Sequence, residues 1–136
     1  MTKDYVGAYL AIPAGDKSVL AKVIFASSYF ANVIALKLYA GSTPEQPMDV
    51  TSVEELPFKL FYTGAQPIKS KRWPIIGKGG ISSAERELTR RTSGGEVWVE
   101  DTHLGLATDA DLQTIPKMLV MGGGLIEKYA TSLSKA

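Results

Sequence analysis

The sequence predicts a single α+β domain of mostly antiparallel strands, in which a barrel-like sheet is accompanied by short helices and a C-terminal amphipathic helix. Three observations support this fold class. Apolar and polar residues alternate with a period of two in the first third of the chain, as in strands. Capping-box sequences indicate short helices, and an apolar stripe of helical spacing lies near the C-terminus. A length of 136 residues suits one domain, so we assign residues 1–136 to a single unit.

The first third of the chain predicts a meander of three antiparallel strands. Residues 5–12 alternate regularly, and the sequence PAGD that follows them is typical of a turn. A second strand is expected over residues 19–26, which are rich in β-branched and aromatic side chains. In a third strand over residues 31–39, the side chains of Leu36 and Lys37 would point to opposite faces of the sheet.

The middle of the chain predicts a loop, a short helix and two strands. The loop covers residues 41–49 and contains two prolines. Thr51 and Glu54 then match a capping box, and a proline ends that helix after about one turn. Strands are expected over residues 58–62 and 73–77.

A second capping box opens the next helix. Ser82 and Glu85 have the required spacing, and the helix is expected to run to about Arg91, before a Ser-Gly-Gly end. Clean alternation over residues 96–100 predicts a strand. The sequence TDADLQT that comes later is interpreted as a turn.

The C-terminal segment predicts a strand, a glycine turn and a helix. The strand covers residues 117–121, and the helix presents the apolar side of residues 125–133. Backbone amides at the three glycines between them could hold an anion. No lysine or hydroxyl accompanies these glycines as in a nucleotide-binding loop, so a tight turn is the favoured interpretation.

Composition excludes several classes of function. The chain has no cysteine, which excludes a thiol nucleophile and a cysteine–metal site. Lysines interrupt its apolar stretches, so we expect no membrane span and no membrane partner. The first residues carry an acid and no signal-peptide-like apolar run, and we expect a cytoplasmic location. A net charge of +1 disfavours general attraction to nucleic acid.

No motif predicts catalysis, a metal site or a cofactor. The sequence GKGG at residues 77–80 lacks the spacing and the terminal Lys-Ser/Thr of a phosphate-binding loop. His103 is the only histidine, and its neighbours Glu100 and Asp101 could orient it, but the sequence has no nucleophile elbow. We therefore expect a protein that is not an enzyme.

Three segments of the chain resemble one family. AYLAIPAGDKSVLAKVIF resembles its opening hairpin, RWPIIGK its central Trp-x-Ile-Ile-Gly element, and IPKMLVMGGGLIEKYA its closing strand, glycine turn and helix. This is the immunity protein 26 family of bacterial polymorphic toxin systems. The resemblance implies an immunity protein that binds and neutralises a cognate toxin domain, such as a nuclease delivered by contact-dependent inhibition or another secretion route.

Two charged groups are candidate binding surfaces for such a toxin. A nuclease groove is cationic because it holds phosphates, so an inhibitor should meet it with carboxylates. The lysines and arginines of residues 69–91 form a basic block. We predict that four acids after this block bind the partner: Glu100, Asp101, Asp109 and Asp111. The alternative partner-binding surface is basic and would suit an acidic toxin face: Lys71, Arg72, Arg86, Arg90 and Arg91.

The basic block also leaves a different function open. Residues 69–91 combine lysines and arginines with Trp73, a combination that could bind phosphates and stack a base in a small nucleic-acid-binding module. A solvated face is the simpler interpretation, because the net charge is close to zero and arginines at a helix end stabilise its dipole.

Overall fold

The computed structural model describes residues 2–15, 17–30, 32–39 and 57–133. A 3-10 helix over Thr2–Tyr5 precedes the first strand. The described strands are β1 (Ala8–Ala14), β2 (Lys17–Ala26), β3 (Val33–Tyr39), β4 (Phe58–Gly64), β5 (Ile75–Lys78), β6 (Arg91–Ser93), β7 (Glu96–Val99), β8 (Thr102–Leu106) and β9 (Val120–Met121). The described helices are α1 (Gln66–Lys69), α2 (Ser83–Glu87), α3 (Asp109–Thr114) and α4 (Gly123–Leu133).

These strands form two sheets. The larger sheet has the order β5-β1-β2-β3-β4-β9, and the smaller one has the order β6-β7-β8. All pairings within the two sheets are antiparallel except that of β4 with β9. The predicted α+β class with mostly antiparallel strands is therefore confirmed. Neither sheet closes on itself in the described part of the chain, so the barrel-like arrangement is not confirmed.

The large sheet has a buried layer on each face. Leu36 and its period-two neighbours join the main apolar core, which α4 covers with Ile126 and Ala130. Trp73 belongs to the same core and is fully buried. The opposite face carries Tyr39 and Lys37, as the alternation in β3 predicts.

Several elements of the C-terminal half differ from the sequence predictions. The helix opened by Ser82 ends at Glu87, and Arg91 begins strand β6 instead of ending that helix. Strands β6 and β8 have no counterpart in the predictions; β8 is exposed at four of its five positions and half-buried at Gly105, so it shows no buried face that alternation could reveal. The predicted strand over residues 117–121 is reduced to β9. The predicted capping box at Thr51 lies outside the described residues.

The segment TDADLQT forms a helix and not the predicted turn. The Thr108 hydroxyl accepts from the Asp111 N–H at 3.1 Å, and the Asp111 carboxylate accepts from the Thr108 N–H at 3.0 Å. This is a capping box with aspartate in the place of the usual glutamate or glutamine. The reciprocal bonds satisfy two amides at the first turn, which explains why α3 begins here.

A buried ionic cluster attaches α2 to the large sheet. Lys22 on β2 lies directly opposite Lys37 on β3, and both side chains are buried. The carboxylate of Glu85, also buried, accepts from Lys22 Nζ at 3.0 Å and from Lys37 Nζ at 3.1 Å. Lys22 also donates to the carbonyl of Gly80 at 2.8 Å. Like charges directly opposite on a sheet repel, and the carboxylate between them offsets this repulsion.

The same carboxylate completes the predicted capping box. The Ser82 N–H donates to Glu85 Oε1 at 3.0 Å, and the Ser82 hydroxyl accepts from the Glu85 N–H at 3.1 Å. Burial alone would raise the pKa of Glu85, but the Ser82 N–H and the ammonium groups of Lys22 and Lys37 outweigh it and hold that pKa below its ordinary value. Helix α2 thus buries the carboxylate of its capping box against the large sheet.

Replacing Glu85 by glutamine should lower the free energy of unfolding by about 3 kcal/mol at neutral pH, because two buried ammonium groups would then face a neutral amide. The amide oxygen can still accept from Ser82, so the capping box is retained. Urea unfolding measures the change. Glu87→Gln is the matched control, since Glu87 is exposed on the same helix and pairs with Arg90 at the surface; it should change stability by less than about 0.5 kcal/mol. Equal losses in both variants would contradict the role of the cluster.

The cluster should also make stability depend on acid pH. Because the pKa of folded Glu85 lies below its ordinary value of 4.5, the contribution of the cluster is complete above that pH. It is lost as the pH falls through the folded-state pKa. We expect the unfolding free energy of the wild type to fall more steeply between about pH 5 and pH 3 than that of Glu85→Gln. Parallel curves would contradict this linkage.

Candidate partner-binding surface

One buried guanidinium joins the small sheet to the large one. Arg91, the first residue of β6, is 1% exposed. The central carbon of its guanidinium lies 5.3 Å from the ring centroid of Phe25, 5.6 Å from that of Tyr62 and 5.7 Å from that of Phe30. Phe25 and Tyr62 belong to strands of the large sheet, so the cation lies between the two sheets with aromatic faces around it.

Hydrogen bonds from the same guanidinium hold the turn between β7 and β8. Arg91 Nη1 donates to the carbonyl of Glu100 at 2.6 Å and to that of Thr89 at 3.0 Å, and Nε contacts Met118 Sδ at 3.4 Å. Nη2 is buried and has no hydrogen-bond partner in the described part of the chain. Burial lowers the pKa of Arg91, and Tyr62, Asp101 and Glu100 oppose that shift. Arg91 was predicted as part of a basic surface, and its burial removes it from that surface.

Tyr62 lies in the same buried environment as Arg91. Burial raises its pKa to about 12, and the nearby charge of Arg91 opposes part of that shift. The phenol is therefore neutral at physiological pH, and its ring face remains available to the cation.

Asp101 fastens the β7–β8 turn to the end of β2. Its Oδ1 accepts from the Ser27 hydroxyl at 2.5 Å, and its Oδ2 accepts from the Ser28 N–H at 2.7 Å. Glu100 has a left-handed backbone with φ of 53°, and its N–H donates to the Thr89 hydroxyl at 2.8 Å. Of the two predicted acids in this turn, Asp101 thus has both carboxylate oxygens engaged. The side chain of Glu100 makes no hydrogen bond or ion pair with any described residue.

The two pairs of predicted acids lie at opposite ends of β8. Glu100 and Asp101 precede the strand, whereas Asp109 and Asp111 lie in the first turn of α3 after it. Five residues of strand span about 17 Å, so the structure does not bring the four carboxylates together. Asp111 is engaged in its capping box, and Asp109 is exposed with no hydrogen bond or ion pair to a described residue.

Large apolar side chains are exposed on β8 and on the helix that follows it. Leu104 is 51% exposed and Leu106 is 81% exposed on β8, and Leu112 on α3 is 55% exposed. β8 is the last strand of the small sheet, and no described strand pairs with its outer edge. Exposed apolar residues that lie together on an unpaired edge are typical of a site that another chain covers. We call this region, with Glu100, Leu104, Leu106, Asp109 and Leu112, the β8 surface.

Sequence reasoning identified the acids of the β8 surface but missed its leucines. Glu100 and Asp101 also line a cleft of about 460 Å³, together with Val6, Phe25 and other residues. The sequence HLGLA contains both leucines of β8. It does not extend into a longer apolar alternation, so it did not predict whether they are buried or exposed. Their exposed fractions in the structure show that they lie outside the core.

The alternative basic surface is largely engaged within the protein. Arg72 binds Glu127 through two hydrogen bonds of 2.5 and 2.6 Å, and this partner holds the pKa of Glu127 below its ordinary range. Arg90 pairs with Glu87 at 2.6 Å. Of the five predicted cations, Lys71 and Arg86 are exposed and have no ion pair with a described residue. The structure therefore does not present the predicted basic set as one free patch.

His103 lies on β8 and contacts the side chains of Trp98 and Glu96. Its ring centroid is 5.0 Å from that of Trp98, and its Nε2 lies 3.1 Å from a Glu96 carboxylate oxygen. No described hydroxyl forms a hydrogen bond with it. Within the described ranges no group of acids and histidine is arranged to hold a metal ion, and no helix there is long and apolar enough to cross a membrane.

Comparisons with known proteins identify no relative: no family model matches the chain, and no curated protein or solved structure matches it.

Replacing Asp101 by alanine should lower the free energy of unfolding by about 2 kcal/mol, because it removes two hydrogen bonds to a charged acceptor. Amide hydrogen exchange should show faster opening of β6–β8 than of the large sheet. Asp109→Ala is the matched control; that carboxylate contributes at most to the first turn of α3, so its loss should change stability by less than about 1 kcal/mol. Uniform exchange across both sheets in Asp101→Ala would contradict a local fastening role.

Proposed function

We propose that this chain is an immunity protein that binds a cognate bacterial toxin and neutralises it by covering its active surface. The resemblance of three segments to the immunity protein 26 family suggests this function, and one structural observation supports it most. That observation is the β8 surface. Its strand has an outer edge that no described strand pairs with, and its exposed leucines lie between Glu100 and Asp109, whose carboxylates bond to no described residue. Neutralisation by binding requires such a surface and no chemistry.

Charge indicates the kind of toxin. Glu100 and Asp109 carry carboxylates with no described partner at the two ends of β8, and Glu96 lies on the adjacent strand. A cationic surface complements these acids and would be attracted to them over distances of about a Debye length. Enzymes that hold nucleic-acid phosphates have such a surface, and a nuclease toxin is therefore the favoured partner.

A nucleic-acid-binding role for the basic block has less support. Of its cations, Arg91 is buried, and Arg72 and Arg90 are paired with carboxylates. Trp73, the aromatic proposed for base stacking, is fully buried, and its indole N–H donates to Glu127. A buried ring cannot stack on a base without unfolding of its surroundings.

The proposal is tested by co-expression with the product of the reading frame immediately upstream. If that product arrests growth in a bacterial host, expression of this chain should restore growth, and the two purified proteins should form a stable complex. A toxic upstream product that this chain neither binds nor neutralises would contradict the proposal. Binding to a catalytically inactivated toxin, measured with the purified proteins, would show that this chain acts on the toxin itself and not on the toxin's products.

Reversing the charge at Glu100 and Asp109 should weaken the complex. Glu100→Lys with Asp109→Lys places cations at both ends of β8, where a cationic partner would be repelled. We expect the dissociation constant, measured by calorimetry, to rise tenfold or more, which corresponds to about 1.4 kcal/mol. Asp101 and Asp111 are left intact because their carboxylates hold the fold together.

The matched control reverses two exposed cations of the basic block. Lys71→Glu with Arg86→Glu changes the net charge by the same amount in the opposite direction and breaks no described ion pair. The dissociation constant of the complex between this control variant and the toxin should fall or stay unchanged. If this control weakens binding and the acidic reversal does not, the interface lies at the basic block, and the β8 surface is not the binding site.

A further inference from the structure

We propose that the partner binds by adding an extended strand to the outer edge of β8, and that this strand has basic residues at both ends with apolar residues between them. This inference rests on the proposed function and concerns how the β8 surface recognises its partner. Addition of a strand to an exposed sheet edge is a recurring mode of peptide recognition, in which backbone hydrogen bonds supply affinity and side chains supply specificity.

The backbone of β8 presents hydrogen-bonding groups at its outer edge. The N–H of Ala107 donates to the carbonyl of Gly95 at 2.9 Å and so points toward β7. Because successive residues of a strand point their backbone groups to opposite sides, the N–H and C=O of Leu106 point away from β7. No strand in the described part of the chain lies there to receive them.

β8 has few of the features that protect edge strands from pairing. Proline and lysine commonly block such edges, and the sequence THLGL contains neither. A register shift between Val97 and Trp98 leaves Leu104, in the middle of β8, without a pair partner on β7; Gly105 and Leu106 follow this irregularity and are paired regularly with Val97 and Glu96. Both leucines of the strand are more than half exposed, although leucine is a residue that proteins usually bury. An added strand would cover them.

The acids at the two ends of β8 favour a partner strand with basic residues at its ends. Glu100 lies two residues before β8 and Asp109 three residues after it, so the two carboxylates flank the strand. A partner strand with lysine or arginine at each end meets one carboxylate at each end. A second copy of this chain is disfavoured, because antiparallel pairing of two β8 strands would place the Glu100 end of one opposite the Asp109 end of the other.

The test uses a synthetic peptide and therefore does not depend on a toxin. The probe is a capped nine-residue peptide with alternating valine and threonine between basic ends, KRVTVTVRK, and the control peptide has acidic ends, EDVTVTVDE. Amide exchange of the isotope-labelled chain is followed by NMR with each peptide. We expect the Leu106 amide to be protected at least tenfold by saturating basic peptide, with little effect of the acidic peptide.

Two variants at one position separate backbone pairing from side-chain contact. Leu106→Pro removes the outward N–H without removing a hydrogen bond to β7, and it should abolish peptide binding. Leu106→Ala keeps that N–H and should retain binding with reduced affinity. If Leu106→Pro does not fold, the exchange of the wild-type amides decides the question alone.

Three results would overturn this inference. They are absence of peptide binding, binding that leaves the β8 amides unprotected, and a concentration-dependent dimer in sedimentation whose β8 amides are protected without peptide. Failure of the proposed function is read separately, from growth in the co-expression experiment. A chain that restores growth but fails the peptide test refutes strand addition only, whereas peptide pairing without neutralisation supports strand addition and refutes the toxin partner.

Discussion

The burial of the Arg91 guanidinium is the constraint on which the arrangement of the two sheets depends. A buried cation must be compensated, and here three aromatic rings and the carbonyls of Thr89 and Glu100 provide the compensation. The rings come largely from the large sheet and the carbonyls from the segments that flank β6 and β8. The small sheet can therefore move relative to the large one only if the cation loses part of its environment, and the position of Glu100 follows from this constraint.

Two further carboxylates, one buried and one partly buried, attach other segments to the strands of the large sheet or their ends. Glu85 connects α2 to the lysines of β2 and β3, and Asp101 connects the β7–β8 turn to Ser27 and Ser28. Such contacts have strict geometry, whereas apolar contacts tolerate sliding, so buried ion pairs favour one arrangement of the packed elements. We infer that these contacts orient helix α2 and the β7–β8 turn on the large sheet, and that β8 remains at the outer edge of the small sheet.

Local pattern predicted the large sheet well and the small sheet poorly. Alternation in β1 to β3 reflects burial on both faces, and the faces of Leu36 and Lys37 were predicted correctly. Arg91 follows a capping-box helix, where a basic residue normally stabilises the helix end, and no local feature shows that it is buried. Asp101 binds a serine 74 residues earlier, a contact that spacing cannot reveal. The acids of the β8 surface were predicted from charge alone, whereas the exposure of its leucines is seen only in the structure.

The scaffold holds a strand with two exposed leucines between the carboxylates of Glu100 and Asp109, which form no hydrogen bond or ion pair with a described residue. This arrangement is complementary to a cationic protein surface. The most direct measurement is the rate constant for association with the upstream gene product as a function of ionic strength, by stopped-flow fluorescence. Electrostatic steering to the β8 surface predicts fast association at low salt and a steep fall as salt increases, with little change in the dissociation rate. An association rate that is independent of salt, or one that rises with it, would contradict the account.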